Sequence, residues 1–184
     1  MPAVVLAGLV SRHERTPYSR RLTIGLALSA VGDVLMELPG AFLFGLGVFL
    51  GAHLAYAAAF LAEARRAALL RSLPFVTFAV AGWLALRPGV GELAVPVALY
   101  VAAIGAMMWR AAAAIGVPGR SGTARVAALV GAVLFAVSDL LIGLDRFRAP
   151  IPHGKVAILT LYWLGQLGIA GAVLLAGRRA EATR

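Results

Sequence analysis

The sequence has no cysteine and very little charge. Only 14% of its 184 residues are charged, eight are acidic and one is a lysine. Without cysteine, disulfide bonds and thiolate metal sites are excluded. An ordinary soluble domain is excluded as well, because roughly a quarter of the residues in such domains are charged. The composition is instead 61% hydrophobic, with a mean hydropathy of +0.91, which is typical of an integral membrane protein.

Long apolar segments follow one another along the chain, separated by short polar breaks. A transmembrane helix needs about 20 apolar residues, and six segments approach that length: Leu22–Leu38, Ala41–Leu61, Ala67–Leu86, Val90–Met108, Thr123–Leu144 and Val156–Ala176. Met1–Val10 is apolar but short, and Ser11–Arg21 is a polar, basic loop. We therefore predict an all-α, polytopic transmembrane helix bundle of six long spans plus a short or partial N-terminal one. Residues 1–184 are expected to form a single integral membrane domain.

The basic residues lie mostly in alternate connections. Thirteen of the 17 lie in the N-terminal loop, after the second long segment, after the fourth and in the C-terminal tail, and the exceptions are Arg87, Arg146, Arg148 and Lys155. Cytoplasmic loops of membrane proteins are enriched in Lys and Arg. The pattern predicts a plasma-membrane protein with a cytoplasmic C-terminus and with 11–21 and 110–125 on that same side. It also accounts for the net charge of +9 without a nucleic-acid partner.

Two aspartates interrupt the apolar segments. Asp33 lies near the middle of the first long segment and Asp139 lies past the middle of the fifth. A carboxylate at the bilayer centre costs roughly 2.5 kcal/mol or more on insertion scales, so such a residue is by default a functional-site hypothesis. Ser29, Asp33 and Glu37 are four residues apart and share one helical face. The competing interpretation is a structural hydrogen bond between helices.

Further polar residues are expected at similar depth. His53 and Tyr56 lie on the second long segment, Ser138 precedes Asp139, and Tyr162 and Gln166 lie on the last. A helical rise of about 1.5 Å per residue places them in the middle-to-outer part of the membrane. We predict a polar pocket that contains Asp33, His53, Asp139 and Tyr162 and is open toward the outer side. Alternatively, His53 is a packing residue, and the tyrosines and glutamine only bridge helices.

The three histidines do not suggest a metal site. His13 lies in a predicted cytoplasmic loop, His53 in a span and His153 in an outer loop, so they cannot share one site. No paired-histidine motif is present. The sequence therefore predicts neither a bound metal nor a cofactor.

Several short motifs occur together in a fixed order. They are Ser29–Leu35, Phe44–Phe49, His53–Tyr56, Gly131–Phe135, Ser138-Asp139, Arg146-Phe147, and Tyr162 with Gln166. In this order they resemble the YhhN-like membrane proteins, which include the lysoplasmalogenases. The resemblance covers about residues 22–171 and implies an eight-span bundle, of which this chain would lack the first helix.

The resemblance also implies an activity, namely hydrolysis of the vinyl ether bond of lysoplasmalogens to a fatty aldehyde and a glycerophospho-alcohol. The partners would be a lyso-phospholipid substrate and membrane lipids, while the oligomeric state stays open. The residues suit this chemistry, because one acid must donate a proton and one carboxylate must stabilise a cation or activate water. Two neighbouring carboxyls at low dielectric tend to share one proton.

We therefore expect Asp33 and Asp139 to be catalytic. The residues expected to bind substrate are Ser29, Glu37, His53, Tyr56, Ser138, Tyr162 and Gln166. The alternative function is a proton-coupled carrier of a small molecule or lipid, for which intramembrane acids are equally typical. The sequence shows no internal repeat in support of a carrier.

Overall fold

The computed structural model describes residues 2–13 and 16–181, and it describes side chains for 2–12 and 16–175. Over these residues the regular secondary structure is helical throughout, which confirms the all-α prediction. The seven α-helices are α1 (Pro2–His13), α2 (Pro17–Glu37), α3 (Phe42–Glu63), α4 (Leu73–Leu86), α5 (Ala94–Ala114), α6 (Gly122–Phe147) and α7 (Gly154–Glu181). Short 3₁₀ turns flank α4 and precede α5, at Leu69–Ser72, Arg87–Gly89 and Gly91–Leu93.

Five helical stretches are long and apolar enough to cross a membrane. They are Phe42–Glu63, Leu69–Gly89, Gly91–Ala114, Gly122–Phe147 and Gly154–Leu175. The 21 residues of α2 include Arg20, Arg21, Asp33 and Glu37, and this charge keeps α2 out of the group. α1 is apolar but only 12 residues long. Length and composition thus support five membrane spans. The predicted count of six long spans plus a short or partial N-terminal one stays a prediction.

The connection between α1 and α2 is shorter than the predicted loop Ser11–Arg21. α1 extends to His13, and α2 begins at Pro17. Thr16 caps α2 through a reciprocal pair of bonds, in which the Ser19 N–H donates to Thr16 Oγ1 at 3.2 Å and the Thr16 N–H donates to Ser19 Oγ at 3.0 Å. Such a capping box starts a helix even in a polar sequence, so Arg20 and Arg21 belong to α2.

A tight turn joins α2 to α3. Gly40 adopts a φ of +78°, in the left-handed region that glycine enters without steric cost. The Ala41 N–H donates to the Leu38 carbonyl at 3.2 Å. The chain therefore reverses within four residues, and α2 and α3 pack side by side.

The bundle is built on two closely packed helix pairs, α2 with α3 and α6 with α7. α1 packs against α2 and α7, while α5 packs against α3, α4 and α6. Glycines bring α6 and α7 together, because a Cβ atom added at Gly131 would lie only 2.6 Å from the carbonyl oxygen of Gly165. Small residues at a crossing are the usual way for membrane helices to approach closely.

One end of the bundle is closed by arginine side chains that bind backbone carbonyls. We call it the arginine end and define it by Arg66, Arg71, Arg110, Arg120 and Arg125. Arg66 donates to the carbonyl of Ala113 at 3.0 Å, and Arg71 donates to that of Ala112 at 3.0 Å. Arg110 donates to the carbonyls of Ala64 and Arg66, and Arg120 pairs with Glu63.

These contacts satisfy carbonyls at the C-terminal ends of α3 and α5, which have no partner within their own helices. Five of the arginines that the sequence assigns to a single side of the membrane thus lie together at one end of the described bundle.

Candidate active site

A cavity of about 1300 Å³ lies at the opposite end of the bundle, which we call the open end. Its walls come from α2, α3, α6, α7 and the connection between α4 and α5. Deep in the cavity are Asp33, Ser138, Asp139 and Tyr162, and its rim carries Glu37, Asp145, Arg146 and Lys155. The rest of the lining is mostly apolar, including Phe49, Leu159 and Trp163. Apolar walls with a few polar groups are typical of a small-molecule site.

Asp33 enters this cavity from α2. The neighbouring Gly32 leaves room for the Phe49 ring of α3, since a Cβ atom there would lie 2.7 Å from the ring. The Asp33 carboxyl faces the hydroxyl of Tyr162 on α7, which is also close to Gln166. Among the described residues, however, the Tyr162 hydroxyl has no hydrogen bond of regular geometry. A buried hydroxyl with spare hydrogen-bonding capacity is thus directed at the cavity beside a carboxyl.

Asp139 enters from α6 and has two polar partners. The Tyr100 hydroxyl of α5 donates to Asp139 Oδ2 at 2.9 Å. Nε2 of His53 on α3 lies 3.1 Å from the same oxygen. The His53 side chain is fully buried, and that of Asp139 is only 6% exposed. His53 therefore does not line the cavity and meets it only through Asp139.

The hydrogen bonds of His53 fix where its protons lie. Its Nδ1 is 2.7 Å from the carbonyl oxygen of Phe49, and because a carbonyl only accepts, Nδ1 must carry a proton. In a neutral imidazole Nε2 then has only a lone pair, which would face a lone pair of the Asp139 carboxylate. The separation is that of an ion pair, although the two atoms are not aligned as in a regular hydrogen bond.

A second polar group lies behind the cavity and is closed to it. The Tyr56 hydroxyl donates to Gln166 Oε1 at 2.8 Å and lies 3.2 Å from Ser29 Oγ. All three side chains are fully buried. Gly25 permits this arrangement, because the Tyr56 ring occupies the space of its missing Cβ atom. The three residues join α2, α3 and α7 at the depth of the cavity floor.

The aromatic ring of Phe135 packs against residues of the cavity side and against Tyr56 of the buried group, whose ring centroid is 6.3 Å away. Its centroid lies 4.7 Å from that of His53 and 5.2 Å from that of Tyr162. The ring is fully buried, so it excludes water from the back of the site. Low dielectric strengthens electrostatic interactions there.

Ser138 and Glu37 contribute in different ways. Ser138 Oγ donates to the carbonyl of Ile158 at 2.9 Å, which ties α6 to α7 at the cavity wall. Glu37 lies on the rim, where its carboxylate accepts from Lys155 Nζ at 3.2 Å.

The structure thus brings the predicted site residues to one region but divides them. Of the four residues predicted to share one cavity, Asp33, Asp139 and Tyr162 line it and His53 does not; Ser138 and Glu37 line it as well. His53 lies behind Asp139, and the remaining three form the buried group described above, so no part of them reaches the cavity wall.

Sequence reasoning missed Tyr100. Its hydroxyl lies in an otherwise apolar helix, which is the same signal that identified Tyr56.

Among the described residues, no group of three or more His, Asp or Glu side chains is placed to hold a metal ion. The side chain of His13 lies outside the described residues.

Together, the fold and the cavity define a class of protein. It is an integral membrane protein made of a helical bundle, with a half-open cavity that has carboxyl groups at its base. The chain belongs to the YhhN family, whose profile matches residues 1–173.

Curated relatives agree with this membership. The chain is 36% identical to bovine lysoplasmalogenase TMEM86A over 158 residues, which are 84% of this chain and 65% of that protein. It is 40% identical to a Mycobacterium tuberculosis lysoplasmalogenase over 171 residues, 88% of this chain and 62% of the relative. It is 32% identical to human lysoplasmalogenase TMEM86B over 180 residues, 95% of this chain and 73% of the relative. The chain thus spans a little under two thirds of the bovine and mycobacterial proteins. No solved structure gives a significant match.

Proposed function

We propose that the protein hydrolyses the vinyl ether bond of lysoplasmalogens, releasing a fatty aldehyde and a glycerophospho-alcohol. The observation that carries the proposal is that Asp33 and Asp139, on different helices, line one mostly apolar cavity. The names of the relatives support the same reaction. A vinyl ether is apolar and reacts with acid, so it needs a proton donor in apolar surroundings and no nucleophilic serine.

The reaction proceeds in three balanced steps. A carboxylic acid transfers its proton to the outer alkenyl carbon, and the C=C π electrons form the new C–H bond, which leaves an oxocarbenium ion. Water then adds to the cationic carbon and loses a proton to a base, giving a hemiacetal. In the last step the hemiacetal hydroxyl loses its proton, the C–O bond to glycerol breaks, and the glycerol oxygen is protonated. The products are an aldehyde and an alcohol, and the acid and base return to their first states.

The unequal surroundings of the two aspartates suggest their roles. Asp33 faces only a tyrosine hydroxyl among the described residues, so in this proposal it carries the proton that the alkenyl carbon receives. Asp139 lies 3.1 Å from His53 Nε2 and accepts a hydrogen bond from Tyr100, so in this proposal it stabilises the cation and takes the proton from water. A carboxylate fixed in place before charge develops is the most effective kind of electrostatic stabiliser.

The other polar residues then have supporting roles. The free hydroxyl of Tyr162 orients the ether oxygen or the attacking water. Ser29, Tyr56 and Gln166 hold α2, α3 and α7 in register and act as positioning residues, as does Ser138 through its bond to Ile158. Glu37 belongs to the rim and contacts the polar end of the lipid.

The setting is also part of the proposal. Residues 1–184 form one membrane domain in the plasma membrane, with the arginine end and the C-terminus in the cytoplasm. The basis is the enrichment of Arg on one side, which for membrane proteins is the cytoplasmic side.

The decisive experiment is lipid mass spectrometry of the purified protein incubated with lysoplasmalogen. We expect aldehyde and glycerophospho-alcohol in equal amounts from the wild type. Asp33→Asn and Asp139→Asn should each lower turnover by at least about 10²-fold, the low end for a general acid or base. Glu37→Gln should lower turnover much less. Glu92→Gln is the matched control, because Glu92 is an exposed acid that does not line the cavity.

Near-normal turnover in both aspartate variants would overturn the mechanism. Absence of aldehyde from the wild type, together with proton-coupled uptake of a solute into vesicles, would favour the carrier function instead.

A further inference from the structure

The rim of the cavity carries an arginine, Arg146, that pairs with no acidic side chain among the described residues. The guanidinium of Arg146 lies 4.0 Å from the centroid of the Phe42 ring. None of the hydrogen bonds or ion pairs between described residues uses it. The ring fixes the flat face of the guanidinium, which leaves its N–H groups free at the edge. An arginine held in this way is suited to bind a phosphate through paired hydrogen bonds.

Helical spacing places Arg146 directly above the proposed chemistry. It follows Asp139 by seven residues on α6, so the two lie on the same face. Their separation along the axis is about 10 Å, at 1.5 Å per residue. Lys155 precedes Tyr162 by seven residues on α7, and Glu37 follows Asp33 by four on α2. Three helices thus carry a charged rim residue one or two turns above a polar residue of the cavity.

The signs of the rim charges are balanced. Arg146 and Lys155 are positive, while Glu37 and Asp145 are negative. Lys155 pairs with Glu37 at 3.2 Å, and both side chains are 72% exposed. Asp145 accepts from the backbone N–H of Ile151 at 2.6 Å, which fixes the turn between α6 and α7. A rim of two cations and two acids does not attract anions in general, but it complements a group that carries both a phosphate and an amine.

From these observations we infer that the rim is a subsite for a zwitterionic phospholipid head group, with Arg146 binding the phosphodiester. The inference rests on the proposed function for the choice of lipid. Seven bonds separate the phosphorus from the outer alkenyl carbon in a lysoplasmalogen. By comparison with extended backbone, seven bonds span about 8 Å, which is close to the axial distance of about 10 Å between Arg146 and Asp139. A lipid held at Arg146 by its phosphate therefore presents its vinyl ether at the depth of Asp33 and Asp139.

The test uses a lipid that cannot react. A 1-O-alkyl lysophosphatidylethanolamine lacks the double bond, so its binding to protein in nanodiscs reports recognition without hydrolysis. We expect Arg146→Ala to raise its dissociation constant at least about tenfold, as for loss of a charge-assisted bidentate contact. Arg148→Ala is the matched control, because Arg148 follows Arg146 by two residues, directly after α6, but does not line the cavity. Its dissociation constant should stay within about twofold of the wild type.

Three further ligands separate the contribution of the phosphate to binding from that of the alkyl chain. A 1-O-alkylglycerol, which has no phosphate, should bind wild type and Arg146→Ala equally weakly. Inorganic phosphate and glycerophosphoethanolamine should displace the lipid only weakly. Equal binding of alkylglycerol and phospholipid by the wild type would overturn the subsite. So would equal losses in the two arginine variants, or displacement by inorganic phosphate as effective as by the lipid itself.

A second measurement uses the wild-type protein, so it does not depend on whether a variant folds. Lys155 is the sole lysine of the chain, so after acetylation by a succinimidyl ester, peptide mapping separates modification at Lys155 on the rim from modification of the N-terminal amine. Bound alkyl lysophospholipid should slow acetylation of Lys155, while alkylglycerol should not. If hydrolysis fails but binding follows this pattern, the subsite stands and the proposed reaction falls. If hydrolysis occurs and Arg146→Ala changes neither KM nor binding, the proposed reaction stands and the subsite falls.

Discussion

The two carboxyls of the cavity differ in what surrounds them. Oδ2 of Asp139 is held by the Tyr100 hydroxyl at 2.9 Å and faces His53 Nε2 at 3.1 Å. Among the described residues, Asp33 has the Tyr162 hydroxyl as its hydrogen-bonding neighbour. Removal of Asp139's partners should therefore affect catalysis while leaving Asp33 in its present surroundings.

The first residue-scale prediction concerns Tyr100. In Tyr100→Phe the ring still packs against His53, whose centroid is 5.2 Å away, but the hydrogen bond to Asp139 is lost. A hydrogen bond to a charged group is worth about 1.5–3 kcal/mol, so turnover of lysoplasmalogen should fall by about tenfold or more. Aldehyde release by purified protein measures the effect. Tyr18→Phe, at the arginine end, removes a hydroxyl far from the cavity, and an equal loss there would contradict the assigned role.

A second prediction follows from proton transfer to carbon, which is expected to be slow. Turnover in D₂O should be lower than in H₂O, and the ratio should persist in Glu92→Gln. In Tyr100→Phe the ratio should also persist, because the variant alters the base and not the acid. A rate that is the same in both solvents would show that another step, such as product release, limits turnover.

Some residues of the site could be predicted from the sequence, while their contacts could not. Asp33 and Asp139 stand out because a carboxylate in an apolar segment is costly. Their partners depend on how each helix is rotated about its axis, which one sequence does not determine. Ser29 and Asp33 lie on the same face, yet Ser29 bonds to Tyr56 in the closed group while Asp33 reaches the cavity.

At the scale of elements, the crossing of α6 and α7 depends on contact between backbones. A Cβ atom at Gly131 would lie 2.6 Å from Gly165 O, and one at Gly165 would lie 2.8 Å from Phe135 N. Backbone atoms cannot move aside as a flexible side chain would. The two helices would have to separate, and the cavity wall formed by Ser138 and Tyr162 would separate with them.

We therefore predict that Gly131→Ala destabilises the protein by about 1–3 kcal/mol, the usual cost of overpacking, and lowers activity. Gly171→Ala is the control, because a Cβ atom there meets nothing within 4 Å. The thermal unfolding temperature in detergent should be lower for Gly131→Ala than for the wild type and unchanged for Gly171→Ala. Equal unfolding temperatures would show that the helices adapt without cost.

Element boundaries were predictable to within a few residues where the polar breaks are sharp. The predicted span Thr123–Leu144 became α6 at Gly122–Phe147, whose start is capped by Ser121. The predicted span Ala67–Leu86 contains a 3₁₀ turn before α4, because hydropathy does not distinguish one helix from two adjoining helical pieces.

At the scale of the whole molecule, the unequal distribution of Arg predicts orientation. A reporter that is active only in the cytoplasm should be active when fused after Arg184, because cytoplasmic segments are enriched in Lys and Arg. A reporter active only on the outer face should be silent at the same position. The opposite result would reverse the orientation while leaving the architecture of the bundle unchanged.

The arginine end has a consequence for how the protein meets a bilayer. Its arginines tie the ends of α3 and α5 together, and none of the described residues that line the cavity comes from that end. In the proposed orientation, the cavity therefore opens toward one monolayer only. Arginine enrichment is also what sets the direction in which a membrane protein inserts. With the proposed reaction and orientation, the same side chains would determine at biosynthesis which leaflet supplies the substrate, and the protein would make the two leaflets differ in lipid composition.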